Sequence, residues 1–439
     1  MRRHRRLRVR IHERKQEKFS TQIIQRVYGE SPCWPLAKAM LFFTVLVFLL
    51  GDFALIEAKV PIVIVPGDGG SQLQARINKS TVPHLWCEKT SSSWFDLWLS
   101  IESMLPGAIG CWADNIRLAF NETSQRMGNA PGVEVQVPYF GTTKGVSYLD
   151  PSLYHPGEYF AEMVAALEKI GFEENISLRA APFDFRYAPN SALEYFANLK
   201  ALIEDTYLKN NKTQVVLLSH SLGCPYTHHF LYNMSQEWKD THIRAWVTIA
   251  GAWAGSAKLM RIYASGTNLG FPDVVLEPLN LRPVLRTYES SAFLMPSKDF
   301  WSAEEVIVQT ANLNYSLGNL EKFFHDIHYP DAINISRQVP PVWINDPPNV
   351  PLYCLYGTGV PTPEKFVYGA DEFPDTFPKT LFGDGDGTVN IRSLKACQSF
   401  VGKQKQKVVT KTFSNADHMG IIGDIRVIEF VKNLISSLD

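Results

Sequence analysis

Three side chains, met in the order serine, aspartate, histidine, have the chemistry for acyl transfer. Ser221 lies in VVLLSHSLG, residues 215–223, where a buried-strand pattern runs into a sharp turn and then a helical segment from Tyr226. Small-x-Ser-x-Gly between a strand and a helix puts a hydroxyl on a tight turn, where a base can reach it. Ser219 stands where glycine is commonest, and its side chain is small enough for that turn. The same spacing also suits an ordinary strand–loop–helix junction with a capping serine, so the partners matter. Asp386 sits in FGDGDGTVN, residues 382–390, and only one histidine, His418, follows it. Asp384 is the competing carboxylate; Asp386 is nearer the strand-to-helix turn where a triad acid belongs. In this arrangement His418 takes the Ser221 proton, Asp386 fixes the imidazole tautomer, and Ser221 forms an acyl-enzyme.

A tetrahedral intermediate needs donors for its oxyanion. The backbone N–H of Leu222, just after the nucleophile, is one, and the N–H of Asp68 in Pro66-Gly67-Asp68-Gly69-Gly70 is the other. No His-Glu-x-x-His or comparable spacing points to zinc, and the expected chemistry needs no metal and no cofactor. His220 and the pair His228-His229 are expected to pack or cap.

These residues must be held by strands that alternate with helices. Apolar runs at 60–65, 215–218, 245–249, 351–356 and 407–413 read as strands, and 157–170, 192–208 and 422–437 read as helices. That alternation implies an α/β fold with a mostly parallel sheet covered on both faces, over a body of 59–439. Two insertions interrupt it: a Trp-rich one at 82–132 and a cap at 257–345, where the strand signal fades. Within the first, Trp94, Phe95, Trp98 and Leu99 fall on one apolar face at helical spacing behind Ser91-Ser92-Ser93, which suggests a membrane-binding helix.

The first 58 residues read as targeting. They carry 11 Lys and Arg against 5 Asp and Glu, so the body is net acidic although the whole chain has a net charge of −1. An acidic body excludes nucleic-acid binding by phosphate neutralisation. The 13 uncharged residues Ala39–Gly51 suit a signal-peptide core and fall short of the ~20 needed to span a bilayer. Cleavage is expected after Ala58. Seven sequons, at Asn78, Asn121, Asn175, Asn211, Asn233, Asn314 and Asn334, agree with a secretory lumen. Among the five cysteines beyond residue 58, pairing by proximity gives Cys87–Cys111 and Cys354–Cys397 and leaves Cys224 odd; other connectivities stay open.

The chain resembles the lecithin:cholesterol acyltransferase family. The stretches that carry this are VPGDGGSQL from 65, APFDFRYAPN from 181, the serine turn, KLMRIYASG from 258, IVQTANLNYSL from 307, LYGTGVPTP from 355 and GDGDGTVN from 383. The resemblance spans nearly all of 59–439. It implies an α/β-hydrolase core with a membrane-binding subdomain and a cap. It implies Ser221, Asp386 and His418 as the triad, Asp68 and Leu222 as oxyanion donors, and the same two disulfides. The implied activity is calcium-independent phospholipase A hydrolysis of glycerophospholipid acyl esters, with transfer of the acyl group to a lipid alcohol such as ceramide. A monomer docking peripherally on phospholipid membranes, in the lysosomal lumen or secreted, goes with it. Departures are Ser219, Cys224, Ala252 and Ala254 in GAWAG, and the long N-terminus; the GAWAG change bears on the acyl-chain groove. A secreted sterol acyltransferase, a luminal phospholipid:diacylglycerol acyltransferase and a non-catalytic adhesion protein are the alternative readings.

Overall fold

The structure is a computed structural model and describes residues 59–123, 126–152, 157–269 and 277–438. The basic leader, the apolar run 39–51 and the expected cleavage site lie outside the described residues.

Six strands carry the fold: β1 (Ile62–Val65), β2 (Leu178–Ala180), β3 (Val215–His220), β4 (Ile243–Ile249), β5 (Leu352–Thr358) and β6 (Val408–Ser414). Their order is β6-β5-β4-β3-β1-β2, and every neighbouring pair is parallel. Register runs from Ala180 through Ile64 to Leu218 and Val247. Every residue of β1 and β3 is buried, which is why both read as continuous apolar runs rather than alternating ones.

The covering helices include α1 (Ala161–Lys169), α2 (Leu193–Lys209), α3 (Gly223–Tyr232), α4 (Lys258–Ser265) and α5 (Ile425–Ser436). In α5 the Asp424 side chain accepts from Arg426 N–H and caps the first turn. Its buried residues Val427, Ile428, Val431, Leu434 and Ile435 recur at three and four, one stripe against the sheet. Each such side chain contributes about 1.5–3 kcal/mol of burial, so a charge at Val431 would detach the helix. The sheet is thus the parallel α/β core that the sequence pattern implies.

The Trp-rich insertion corrects one expectation. Phe95–Trp98 is a strand, paired antiparallel with Leu73–Ile77, which pairs in turn with Val133–Gln136. Ser91 does not cap a helix: its N–H donates to Ile77 O at 3.0 Å, and its Oγ accepts from Ile77 N–H at 3.0 Å. Aromatic and branched residues fit a pleated, half-buried surface, and this edge of Leu73–Ile77 supplies one. Leu97 and Leu99 are buried, Trp98 is half-buried and Asp96 is exposed. Cys87–Cys111 closes the segment onto a helix, Ile109–Ile116; a loop of that length contributes about 3–4 kcal/mol.

The expected partners Cys354 and Cys397 are brought together but not bonded: their buried thiols lie within hydrogen-bond reach of each other. Cys354, Cys397 and Cys224 are buried free thiols. Cys354 lies within β5, and Cys397 turns its Sγ toward Leu394 O at 3.7 Å in the short helix Ala396–Phe400. Burial pushes the Cys397 thiol well up, so the thiolate that attack requires is disfavoured.

Between β4 and β5, residues 257–345 hold α4, the helices Pro278–Leu285, Leu320–Asp326 and Asp331–Gln338, and two short strands. Those strands join Thr362–Val367 and Lys379–Gly383 in a four-stranded sheet. The buried Glu289 anchors the segment, accepting from Ala188 N–H at 3.0 Å and from Ser191 Oγ at 3.1 Å.

Candidate active site

Four loops at the carboxyl ends of the parallel strands converge, as ligand sites of open α/β sheets do. Ser221 follows β3 with φ +51°, a left-handed conformation that a non-glycine residue adopts only when its surroundings impose it. The turn is tight on both sides. A Cβ on Gly223 would lie 2.2 Å from Pro66 O, and one on Gly67 would lie 2.8 Å from Ser221 Cβ. Glycine at both positions lets the β1 loop and the start of α3 close against the serine. Ser219 is accommodated because its hydroxyl points away into the core, accepting from Trp246 Nε1–H at 3.0 Å and sharing a hydrogen bond with Thr227 Oγ1 at 2.9 Å.

His418 follows β6. Its Nε2 lies 2.8 Å from Ser221 Oγ and its Nδ1 lies 2.7 Å from Asp386 Oδ2. The two residues are joined twice, since His418 N–H also donates to Asp386 O at 2.8 Å. The other Asp386 oxygen accepts from Val389 N–H at 2.8 Å and Thr388 N–H at 3.1 Å. Burial alone would raise the Asp386 carboxyl, but His418 and these N–H bonds outweigh it and hold it below the ordinary carboxylate range. Asp384, the competing carboxylate, is exposed and accepts from Gly359 N–H at 2.7 Å instead.

The β1 loop presents the other donor. Gly70 N–H donates to Gly67 O at 3.0 Å. Asp68 N–H belongs to the same peptide unit as that carbonyl and therefore points the opposite way. Among the described residues neither Asp68 N–H nor Leu222 N–H has an acceptor. Such a pair of free backbone donors beside a serine hydroxyl can stabilise a developing oxyanion. The Asp68 side chain is exposed to the cleft, yet the surrounding walls strip enough water to push its carboxyl up to about 6, with Lys258, Gly69 N–H and His418 pulling the other way.

Two features escape sequence reasoning. Trp98, read there as membrane-facing, donates Nε1–H to Gly69 O at 2.7 Å and packs on Phe185 with ring centroids 5.5 Å apart. It braces the Gly67–Gly70 loop from the insertion, and Leu99 beside it is buried. Trp94 and Phe95 are half-buried, with Arg76 stacked over Trp94 at 5.3 Å. The exposed large apolar residues of the insertion are Leu85 and Trp86, next to Cys87, together with Leu105 and Phe120. Lys258, the first residue of α4, lies near Asp68 and Asp386, and burial lowers its ammonium to about 8. Its signal in sequence was only its place in KLMRIYASG. All seven sequon asparagines are exposed.

A family model described as lecithin:cholesterol acyltransferase matches residues 94–347 and 340–425. The chain is similar to the lysosomal phospholipase A and acyltransferase of Homo sapiens, 41% identical over 402 residues, covering 91% of this chain and 96% of that protein. Its likeness to the same protein of Mus musculus is 40% over 402 residues, again 91% and 96%. It is also similar to the phosphatidylcholine-sterol acyltransferase of Mus musculus, 35% identical over 377 residues, 85% of each chain.

Proposed function

Because the chain belongs to the lecithin:cholesterol acyltransferase family, we propose that its serine site hydrolyses glycerophospholipid acyl esters without calcium and passes part of the acyl flux to a lipid alcohol such as ceramide. The chain is an enzyme of the lipid hydrolase and acyltransferase class. The observation that carries the finer reading is the continuous contact Ser221 Oγ–His418 Nε2, His418 Nδ1–Asp386 Oδ2.

In this reading His418 removes the Ser221 proton as Oγ attacks the ester carbonyl. Asp68 and Leu222 N–H groups receive the oxyanion. His418 then protonates the departing lysolipid oxygen, leaving an acyl-serine. Water activated by His418 completes hydrolysis. In an apolar cleft with little water, a bound lipid hydroxyl competes for the same acyl group. The lipid surface is met by the insertion, whose exposed Leu85 and Trp86 supply an apolar tip. Among the described residues no helix is long and apolar enough to cross a membrane. Seven exposed sequons and a disulfide support a lysosomal or secreted setting.

The test uses purified protein and phosphatidylcholine liposomes containing ceramide or cholesterol, with chelator present, and resolves the product lipids by mass from pH 4 to 8. Free fatty acid and acylceramide, both lost in Ser221→Ala, are expected. Steryl ester in place of acylceramide would move the chain toward the sterol-acylating relatives. No product from either mixture would overturn the reading.

A further inference from the structure

His220, between the two serines of the turn, is not idle packing. Its ring is buried behind His418, with centroids 5.0 Å apart, and both ring nitrogens are engaged. Nε2 lies 2.9 Å from the His418 carbonyl oxygen, and Nδ1 lies 2.6 Å from Tyr159 OH. Tyr159, just before α1, accepts from Gly67 N–H at 2.8 Å with the same oxygen.

The direction of every proton in this chain follows. A carbonyl oxygen only accepts, so His220 Nε2 carries the hydrogen. Burial holds the His220 imidazole down to about 3, so the ring is neutral in any lumen above that pH and Nδ1 is an acceptor. The Tyr159 O–H therefore donates to Nδ1, while its oxygen takes the Gly67 N–H. One unbranched relay runs from Gly67 N–H through Tyr159 and His220 to His418 C=O. It passes beneath Ser221 and ends on the backbone of the two loops that flank it.

Resting on the triad reading above, we propose that Tyr159 and His220 are positioning residues: a buried strap that fixes the oxyanion-donor loop at Gly67–Asp68 relative to the His418 loop. Gly67 is pinned at both ends, its N–H by Tyr159 and its carbonyl by Gly70, which leaves Asp68 N–H a single orientation. His418 is likewise held by Asp386 at its N–H and by His220 at its carbonyl. The strap makes donor and base one rigid frame, and hydrogen bonds polarised in one direction reinforce each other. Because its histidine does not titrate in an acidic compartment, the frame persists where an ordinary imidazole would gain a proton and repel His418.

The test measures turnover of a short soluble ester and the rate at which an organophosphonate labels Ser221. Tyr159→Phe keeps the ring packing and deletes the relay; kcat and labelling are expected to fall together by about tenfold to a hundredfold at unchanged KM. His220→Leu should do the same. His220→Gln offers an amide oxygen to Tyr159 and an N–H to the His418 carbonyl, and should recover about tenfold over His220→Leu. The double variant Tyr159→Phe/His220→Leu should be no worse than the worse single, since one relay is cut once. Wild-type kcat in Tyr159→Phe, multiplied losses in the double, or no difference between Gln and Leu at position 220 would overturn the strap. If Tyr159→Phe fails to fold, the Gln–Leu contrast decides alone. An active wild type silenced by Ser221→Ala, with Tyr159→Phe unaffected, sinks only the strap; a wild type whose turnover survives Ser221→Ala sinks the triad reading with it.

Discussion

Trp98 Nε1–H donates to Gly69 O at 2.7 Å, so the disulfide-closed insertion and the oxyanion-donor loop are mechanically joined. The consequence is a division of labour inside one subdomain. Trp98→Phe keeps the ring against Phe185 but frees Gly69, and should lower kcat on a short ester and on phospholipid alike by about tenfold, with liposome binding intact. Leu85→Ser/Trp86→Ser, at exposed positions, should do the reverse: liposome flotation and phospholipid hydrolysis are lost while short-ester turnover holds. Loss of short-ester turnover in the second variant would mean that the tip, too, is tied to the chemistry.

The acid and base assignments separate cleanly. Ser221→Ala, Asp386→Asn and His418→Ala should each reduce turnover by about 10⁴-fold, because the three act as a unit. Asp384→Asn should stay within about threefold, since it gives up one exposed bond to Gly359 N–H. Steady-state rates on a soluble ester at one pH settle it; a dead Asp384→Asn would reassign the acid.

Asp68 gives the pH dependence a sign. Its folded pKa, about 6, lies above the ordinary aspartate value of 3.8, so between those values the folded state holds a proton that the unfolded state has lost. Stability therefore declines as pH rises through that window. Above it, an ionised carboxylate on the donor loop, close enough to His418 to interact with it, disfavours further negative charge nearby. Asp68→Asn should extend activity to neutral pH and raise the melting temperature above pH 6, with no change near pH 4. Melting curves at the two pH values, with rate profiles alongside, check both halves; an unmoved alkaline limb would place the limiting titration elsewhere.

Arg186 belongs to APFDFRYAPN, a stretch with no role assigned from sequence. Its side chain is fully buried; it pairs with Asp184 at 2.6 Å and donates to Ile116 O at 3.0 Å and Asn129 Oδ1 at 2.7 Å. It thus ties the insertion to the core. Arg186→Leu leaves Asp184 without its partner and should cost about 3–5 kcal/mol, read as a lower urea midpoint. Arg186→Lys should recover little of it, because a point charge cannot span three acceptors. An unchanged midpoint would show the network to be superfluous.

The sheet was legible because β1, β3 and β5 are apolar on both faces and interrupted by helices of regular period; the expected 245–249 lies within β4, and the expected 407–413 is offset by one residue from β6. β2 was not, because three residues, Leu178–Ala180, carry no period. The contact among Ser221, Asp386 and His418 was anticipated from chain order, since one histidine follows the acid. The insertion misled because Trp94, Phe95, Trp98 and Leu99 fit a helical stripe; only pairing with Leu73–Ile77, distant in sequence, makes Phe95–Trp98 a strand. Lys258, in the expected cap, and Tyr159, in an expected helical stretch, carry no local mark of chemistry, and only tertiary packing brings them to the site.

Ser221 and His418 are 197 residues apart and meet only across the finished sheet. During synthesis the serine turn, the β1 loop and α3 emerge long before β5, Asp386 and β6. Until those later segments have been made and docked, the hydroxyl has no base. Chain order thus acts as a delay: the contact between hydroxyl and imidazole arrives with the last strand.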